Sequence, residues 1–335
     1  MTKRFAAITG VGSYLPEHVM TNADLEKLVD TSDEWITSRS GIRERRIVAE
    51  GDTTSDLAAR AAVQAMKRAG VEAGDIDLLI VGTTSPDYIM PSTAAMTQAK
   101  LGLKCPAVDT MAACTSFIYG LQYAAAVIES GRADTVLLIG AEALTRLIDF
   151  TDRSTCVLFG DGAGAVILQA SEEPGVEAVV LGADGTGAEQ LIIPASGAAQ
   201  PVTVEAVARH EHYVRMNGSE VFKFAVRVIP KATKEALAAS GRSLDDLTLL
   251  IPHQANERII STIEERLGIS HERVYCNLAS TGNTSSASIP LALDDLYTSG
   301  RLSPGDLLAL VGFGAGLTWG AGILRWTMNA PKGKG

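Results

Sequence analysis

Cysteine is scarce in this chain. Its four residues, Cys105, Cys114, Cys156 and Cys276, stand at irregular spacings with no CxxC pair and no cysteine–histidine cluster. That excludes a disulfide framework and a zinc site of ordinary spacing, so no metal is expected and a reducing cytoplasm is the expected compartment. Long apolar runs are missing as well: no stretch approaches the roughly 18 residues that a membrane span needs. The first residues imitate a signal peptide, with Lys3 and Arg4 ahead of an apolar run, but Gly10, Gly12 and Pro16 interrupt it and no small-residue cleavage site follows. A soluble protein is expected. An excess of positive charge is also lacking, since 29 basic residues face 39 acidic ones for a net charge of -10, a surface that repels nucleic acid.

What is present is a large apolar inventory. A hydrophobic fraction of 46% over 335 residues fills about two domains' worth of core. Short apolar runs (Leu78 to Val81, Val136 to Ile139, Leu249 to Ile251, Leu307 to Val311) alternate with Ala-rich helical patterns. Strands buried on both faces between helices read this way, so the class is α/β. Helices are predicted over Asp56 to Ala69 behind Thr54 and Ser55, over Phe117 to Ser130 before Gly131, and over Ile229 to Ser240 before Gly241. From Met328 the chain has nothing to pack and reads as a frayed tail.

An internal repeat emerges when the two halves are superposed. Gly70 to Ile80 answers Gly241 to Ile251, and Glu129-Ser-Gly-Arg answers Thr298-Ser-Gly-Arg; the strands from Leu78 and Leu249, and those from Val136 and Leu307, share one offset of 171 residues. The chain therefore divides into equivalent halves at 1–172 and 173–327, with a tail at 328–335. Duplicated halves place their site between them.

Gly160-Asp-Gly-Ala-Gly and the glycine loop from Gly312 to Gly320 run into strands, and Gly10-Val-Gly fares no better. A dinucleotide fingerprint needs a helix N-terminus there, so the nucleotide reading fails. The 312–320 loop retains a second use, because backbone amides freed of side chains can form an oxyanion hole.

Cys114 lies between a predicted strand, Pro106 to Met111, and the helix from Phe117. A cysteine at such a turn meets the positive end of the helix, which favours thiolate; equally, a lone cysteine is an ordinary small core residue. The other three fit the second reading, with Cys276 inside an apolar strand, Cys156 in an apolar run and Cys105 before Pro106. His253 is the one histidine that directly follows an apolar strand, and singly it is as well explained by structure as by catalysis. Asn283 alone reads as a turn residue after Gly282. The repeat changes the weighing, because position 285 is the counterpart of 114. The Cys114 and Asn283 turns then face one another, with His253 and the glycine loop at neighbouring strand ends.

Four segments carry a resemblance: Ala112-Ala-Cys-Thr-Ser-Phe, Pro252-His-Gln-Ala-Asn-Glu-Arg, Gly282-Asn-Thr-Ser-Ser-Ala-Ser-Ile-Pro and Phe313-Gly-Ala-Gly-Leu-Thr-Trp-Gly. They closely resemble the 3-oxoacyl-(acyl-carrier-protein) synthase III family of the thiolase fold, and the likeness runs from Thr31 to Trp326. It implies a layered αβαβα sandwich and an acyltransferase that condenses a short acyl group from coenzyme A with malonyl-acyl carrier protein, starting fatty-acid synthesis. It further implies Cys114, His253 and Asn283 as the catalytic set, with the amides of Cys114 and Ala315 as oxyanion hole. Trp35, Arg39 and Arg153 would bind coenzyme A; Arg258, Lys223 and Gln254 would meet the carrier protein; Met90 and Phe313 would line the acyl pocket. No metal or redox cofactor is implied. A homodimer joined through Pro106 to Met111 is implied, with Met90 reaching the partner's pocket. The chain departs from relatives at Thr281, Ala315, Met90 and Glu265-Arg266, the last standing where two basic residues are common. A Cys-His-Asn hydrolase releasing free acid is the competing enzyme reading. A non-catalytic partner subunit would be expected to lack the cysteine.

Overall fold

The computed structural model describes residues 4–331, whose two large sheets are accompanied by two small two-stranded ones, His18–Thr21 with Glu44–Ile47 and Leu191–Ile192 with Arg215–Met216. The first half supplies β1 (Phe5–Tyr14), β2 (Leu78–Gly82), β3 (Ala107–Thr110), β4 (Thr135–Glu142) and β5 (Gly162–Ser171), in the spatial order β1-β5-β4-β2-β3. The second supplies β6 (Val176–Ala183), β7 (Leu249–Pro252), β8 (Leu307–Gly314) and β9 (Thr318–Arg325), ordered β6-β9-β8-β7. The matching strands have matching neighbours: β2 pairs parallel with β4, and β7 parallel with β8, while β5 and β9 run antiparallel to their partners. The counterpart of β3 shrinks to a single parallel bridge between Leu250 and Val274. Cys276, expected within a strand, follows that bridge in irregular chain and is exposed; its apolar neighbours Val274 and Tyr275 are buried without a ladder.

Between the sheets lie α3 (Ser116–Glu129) and α6 (Ser288–Thr298), outside the first lie α1 (Thr54–Ala69) and α2 (Thr93–Leu101), and outside the second lie α4 (Gly218–Ala239) and α5 (Glu257–Leu267). The result is five layers, αβαβα. The central core joins both halves, with Phe117, Ile118 and Leu121 of α3 and Ile289, Leu293 and Leu296 of α6 packed against Ile8, Leu138, Leu308 and Leu310. Burying such side chains contributes on the order of 2 kcal/mol each. The glycines of the Gly160 segment serve this packing: a Cβ on Gly164 would lie 2.6 Å from the Pro290 backbone of α6.

Local signals set the helix ends. Asp56 accepts the Thr53 N–H at 2.9 Å at the start of α1, and Gly70 with φ 68° ends it. The helix expected from Ile229 starts eleven residues earlier, at Gly218, where Asn217 is the cap. Its apolar face runs from Val221 through Phe224, Val228 and Ala232 to Ala236, and it continues through Pro230. Proline has no N–H for the carbonyl four residues back. Here that carbonyl, on Val226, accepts from Arg266 Nη1 of α5 at 3.0 Å, so the break is repaired from outside the helix. The expected tail also differs. Met328 is buried in the central core, while residues 332–335 lie outside the described part.

Candidate active site

Cys114 sits in a 3-10 turn, Ala113–Thr115, that runs directly into α3. The turn begins with Ala113 at φ 48°, a left-handed conformation that costs an L-residue about 1 kcal/mol. In the second half the turn Ser285–Ala287 runs into α6 and begins with Ser285, also at φ 48°. The correspondence is thus offset by 172 at the turns, one more than at the strands, so Ser286 rather than residue 285 is the counterpart of Cys114.

The two turns meet. The Ser285 side chain stands close enough to the Cys114 thiol to oppose the effect of its burial. Asn283 Oδ1 accepts the Ser285 N–H at 2.9 Å. Because a backbone N–H can donate only to oxygen, this fixes the amide orientation and leaves Asn283 Nδ2 as a donor. Asn283 itself is held by its N–H on the Leu158 carbonyl at 2.8 Å and by its carbonyl, which accepts from Gly160 at 3.0 Å.

His253 follows β7 and is buried, its N–H on the Val311 carbonyl of β8 at 2.7 Å. Nδ1 lies 2.7 Å from Ser288 Oγ, and Phe313 packs edge-on at 5.7 Å between ring centres. Ala315 stands in the turn between β8 and β9, where the positive φ falls on Gly316, at 136°, and not on Ala315. Thr318 ties this hairpin to the cysteine turn: its hydroxyl lies 3.0 Å from both the Ala112 and Ala315 carbonyls and 2.8 Å from Thr115 Oγ1. Gly314 permits the close approach, since a Cβ there would lie 2.7 Å from the Cys114 nitrogen.

Burial dominates the electrostatics. It pushes the Cys114 thiol up to about 12, with the Ser285 side chain opposing and the charge of Glu142 reinforcing the rise. The helix end was expected to favour thiolate; in a water-poor pocket beside a carboxylate, desolvation outweighs it, and the resting form is the thiol. Burial likewise holds His253 down to about 3, so the imidazole is neutral. Both groups are therefore neutral at neutral pH.

Other expected residues separate into those the structure gathers and those it does not. The Arg153 guanidinium lies 4.9 Å from the Trp35 ring centre, and its Nη1 donates to the Asp30 carbonyl at 2.7 Å. Arg39, exposed on the same Asp33–Ser40 helix as Trp35, has its carbonyl held by Asn256 Nδ2 at 3.1 Å. Beside it opens a cleft of about 340 Å³ lined by Ser38, Gly41, Phe222, Glu257, Arg258 and Thr262, with exposed Lys223 adjoining. Gln254 does not belong to any docking surface. It is fully buried, its Nε2 donates to the Pro252 and Tyr275 carbonyls, and its Oε1 accepts from Asn277, so every amide atom is committed to backbone. Met90 is 84% exposed, whereas Cys114, His253 and Asn283 are buried. One residue at the site was not foreseen: Glu142, a fully buried carboxylate at the end of β4. Its signal was an acid closing an otherwise apolar strand, a position where charge is rarely buried without purpose. Among the described residues no cluster of histidine, cysteine and acidic groups could hold a metal ion.

Two equivalent sheets around paired central helices, with a cysteine heading one of those helices, define the thiolase-like class of acyltransferase. A profile described as 3-Oxoacyl-[acyl-carrier-protein (ACP)] synthase III matches residues 108–185, and its C-terminal companion matches residues 237–326. A beta-ketoacyl-[acyl-carrier-protein] synthase III of Symbiobacterium thermophilum is 52% identical over 97% of this chain and 99% of its own length. The crystal structure of 3-oxoacyl-[acyl-carrier-protein] synthase III from Aquifex aeolicus superposes with a TM-score of 0.89 at 45% identity, covering 96% of this chain and all (100%) of that one. The priming beta-ketosynthase of the R1128 polyketide pathway superposes at 0.92 with 37% identity, covering 98% of each chain. The chain belongs to the 3-oxoacyl-[acyl-carrier-protein] synthase III family.

Proposed function

We propose that this protein catalyses the initiating condensation of fatty-acid biosynthesis, joining a short acyl group from coenzyme A to malonyl-acyl carrier protein with loss of carbon dioxide. The observation that carries the residue assignment is the interlock of the two turns: the Cys114 turn packs against the Ser285–Ala287 turn, which Asn283 Oδ1 braces through the Ser285 N–H, and Thr318 ties the Ala315 hairpin to the Cys114 turn. In the first step the Cys114 sulfur bonds to the acyl carbon and the bond to the coenzyme A sulfur breaks. The thiol proton passes, in net terms, to the departing thiolate. A thiol held near 12 loses that proton during attack rather than before it. The amides of Cys114 and Ala315 receive the tetrahedral oxyanion.

In the second step the malonyl carboxylate leaves as carbon dioxide and the thioester becomes an enolate. Charge develops on oxygen, where neutral donors serve. Asn283 Nδ2 is one. His253 Nδ1 and the Ser288 hydroxyl are hydrogen-bonded; we assign the hydroxyl as donor, which puts the ring proton of His253 on Nε2 as the other. The enolate carbon then attacks the acyl carbonyl, the Cys114 carbon–sulfur bond breaks, and the thiolate takes up one proton from solvent to restore the thiol. No metal or redox cofactor enters this sequence.

Trp35 and Arg153, already stacked, with Arg39 nearby, offer an aromatic face and cations to the adenine and phosphates of coenzyme A. Arg258 and Lys223 beside the cleft offer charge to an acidic carrier protein. A homodimer through β3 fits the unpaired edge of that strand and the exposure of Val108, Met111 and the Tyr88–Met90 loop. In that dimer Met90 enters the partner's acyl pocket, which Phe313 closes from within. No described helix is long and apolar enough to cross a membrane, and substrates carried on coenzyme A and acyl carrier protein support a cytoplasmic location. Supplying acetyl-CoA and malonyl-acyl carrier protein tests the reading: 3-oxoacyl-carrier protein is the expected product, and free acid in its place contradicts it.

A further inference from the structure

Glu142 ends a strand whose other residues, Thr135 to Ala141, are all buried, and it is itself fully inaccessible. Its partners are neutral donors. One carboxylate oxygen accepts the Ser85 hydroxyl at 2.6 Å and the Ser85 N–H at 3.1 Å, and the Thr84 N–H and hydroxyl approach within 3.1 Å. The other accepts the Ser286 hydroxyl at 2.8 Å. Thr84 and Ser85 follow β2 in the first half, whereas Ser286 lies in the second half, three residues after Asn283 and next to Ser285. An apolar residue of similar size would close a strand end at lower cost than a buried charge that only hydrogen bonds compensate. The Glu142 carboxylate also acts with burial in holding the Cys114 thiol up.

We propose that Glu142 is a positioning residue of the condensation site: its carboxylate fastens the Asn283–Ser286 turn of one half to the strand ends of the other, and so sets where the Asn283 amide stands relative to the Cys114 sulfur. The proposal rests on the roles given above to Cys114 and Asn283. It extends them to a group that touches neither substrate.

Glu142→Gln keeps the volume but turns an NH2 toward backbone N–H groups, whichever way the amide faces. Glu142→Asp keeps the charge, and Ser286→Ala removes the link while leaving the carboxylate. Three readouts are needed on folded protein: decarboxylation of malonyl-acyl carrier protein without primer, acyl transfer from acetyl-CoA to Cys114 by mass, and the pH profile of Cys114 alkylation by iodoacetamide. The ionisable groups facing this region are Glu142 on β4, Asp161, whose carboxyl is raised to about 6 by burial, and His253, which burial keeps neutral. Profiles taken above pH 7 hold the last two in one state. For Glu142→Gln, decarboxylation is expected to fall about tenfold or more, acyl transfer to change less than about threefold, and the alkylation profile to move to lower pH. Glu142→Asp is expected to keep the wild-type profile. Ser286→Ala is expected to lose decarboxylation with the profile unmoved, and it serves as the test should Glu142→Gln fail to fold. Intact decarboxylation in either folded variant, or equal loss in both half-reactions with no shift in profile, overturns the proposal. Asn283→Ala run in parallel separates the two layers: if it decarboxylates normally, the underlying reading falls and the proposal with it, whereas its failure beside an intact Ser286→Ala overturns the role of Glu142 alone.

Discussion

The two turns at the centre of the molecule share a backbone conformation and differ in the side chains they carry. Ala113–Thr115 and Ser285–Ala287 each begin with a residue at φ 48° and each launch a central helix, α3 or α6. The first turn carries a buried thiol. The second carries no cysteine; its Ser286 binds Glu142, and the amide proposed to serve malonyl stands three residues earlier, at Asn283. The duplicated fold thus supplies position, and side-chain substitution at matched positions supplies an electrophile carrier on one side and hydrogen-bond donors on the other. If that division is correct, damage to one turn and damage to the other produce different kinetic defects.

The largest effect is expected from Cys114→Ser, which should abolish acyl-enzyme formation and lower condensation by about 10^4-fold or more, read by intact mass and by turnover. Serine at Cys105, Cys156 or Cys276 should leave labelling by acetyl-CoA in place. Next come Asn283→Ala and His253→Ala. Each should cost about 10^2- to 10^3-fold in malonyl decarboxylation and far less in acyl transfer. Equal loss in both steps would make the histidine a base for Cys114 and erase the division.

The buried imidazole adds a pH test. An ordinary value of 6.5 held down to about 3 means that the unfolded chain takes up a proton that the native site refuses. Stability from this group is complete above 6.5 and is lost as pH falls from there toward 3. Urea melts of wild type and His253→Asn should therefore diverge at neutral pH and converge under acid, while activity shows no limb near 6.5 from this residue.

How much of this was legible in the sequence follows the same division. Cys114 and His253 were readable from their places beside apolar strands, and Asn283 only because the repeat set it opposite Cys114. The repeat misjudged the pairing by one residue, since strands and turns differ in offset by one. Glu142 escaped because its partners, Ser85 and Ser286, are distant in sequence and hydroxyls carry no pattern. The first half of α4 escaped because Pro230 interrupts its period, and nothing local announces that Arg266 will bond the stranded Val226 carbonyl. Gln254 was misplaced because a motif beside a catalytic residue reads as exposed, whereas its amide braces the His253 loop against Tyr275 and Asn277.

A smaller effect sharpens the geometric half of the comparison. Ala113→Val and Ser285→Val each force a β-branched residue into the left-handed region and should cost about 2 kcal/mol, whereas glycine at either site should be close to neutral by thermal melting. Different responses at the two positions would mean that the turns are alike in angle but not in constraint. The smallest effect is at Met90. Methionine is flexible, so Met90→Phe should narrow primer choice, raising the turnover ratio of acetyl-CoA to a branched acyl-CoA by up to about tenfold, with Cys114 alkylation unchanged. An unchanged ratio would remove Met90 from the pocket.

The central claim is that the acyl group rides on Cys114 while the opposite turn handles malonyl. Its most direct test is peptide mapping of the wild-type enzyme after brief incubation with a panel of acyl-CoAs and no malonyl donor. The expected result is an acyl adduct on the Cys114 peptide alone, discharged to 3-oxoacyl-carrier protein when malonyl-acyl carrier protein is added. An adduct on Cys105, Cys156 or Cys276, or release of free acid with no adduct, would contradict it.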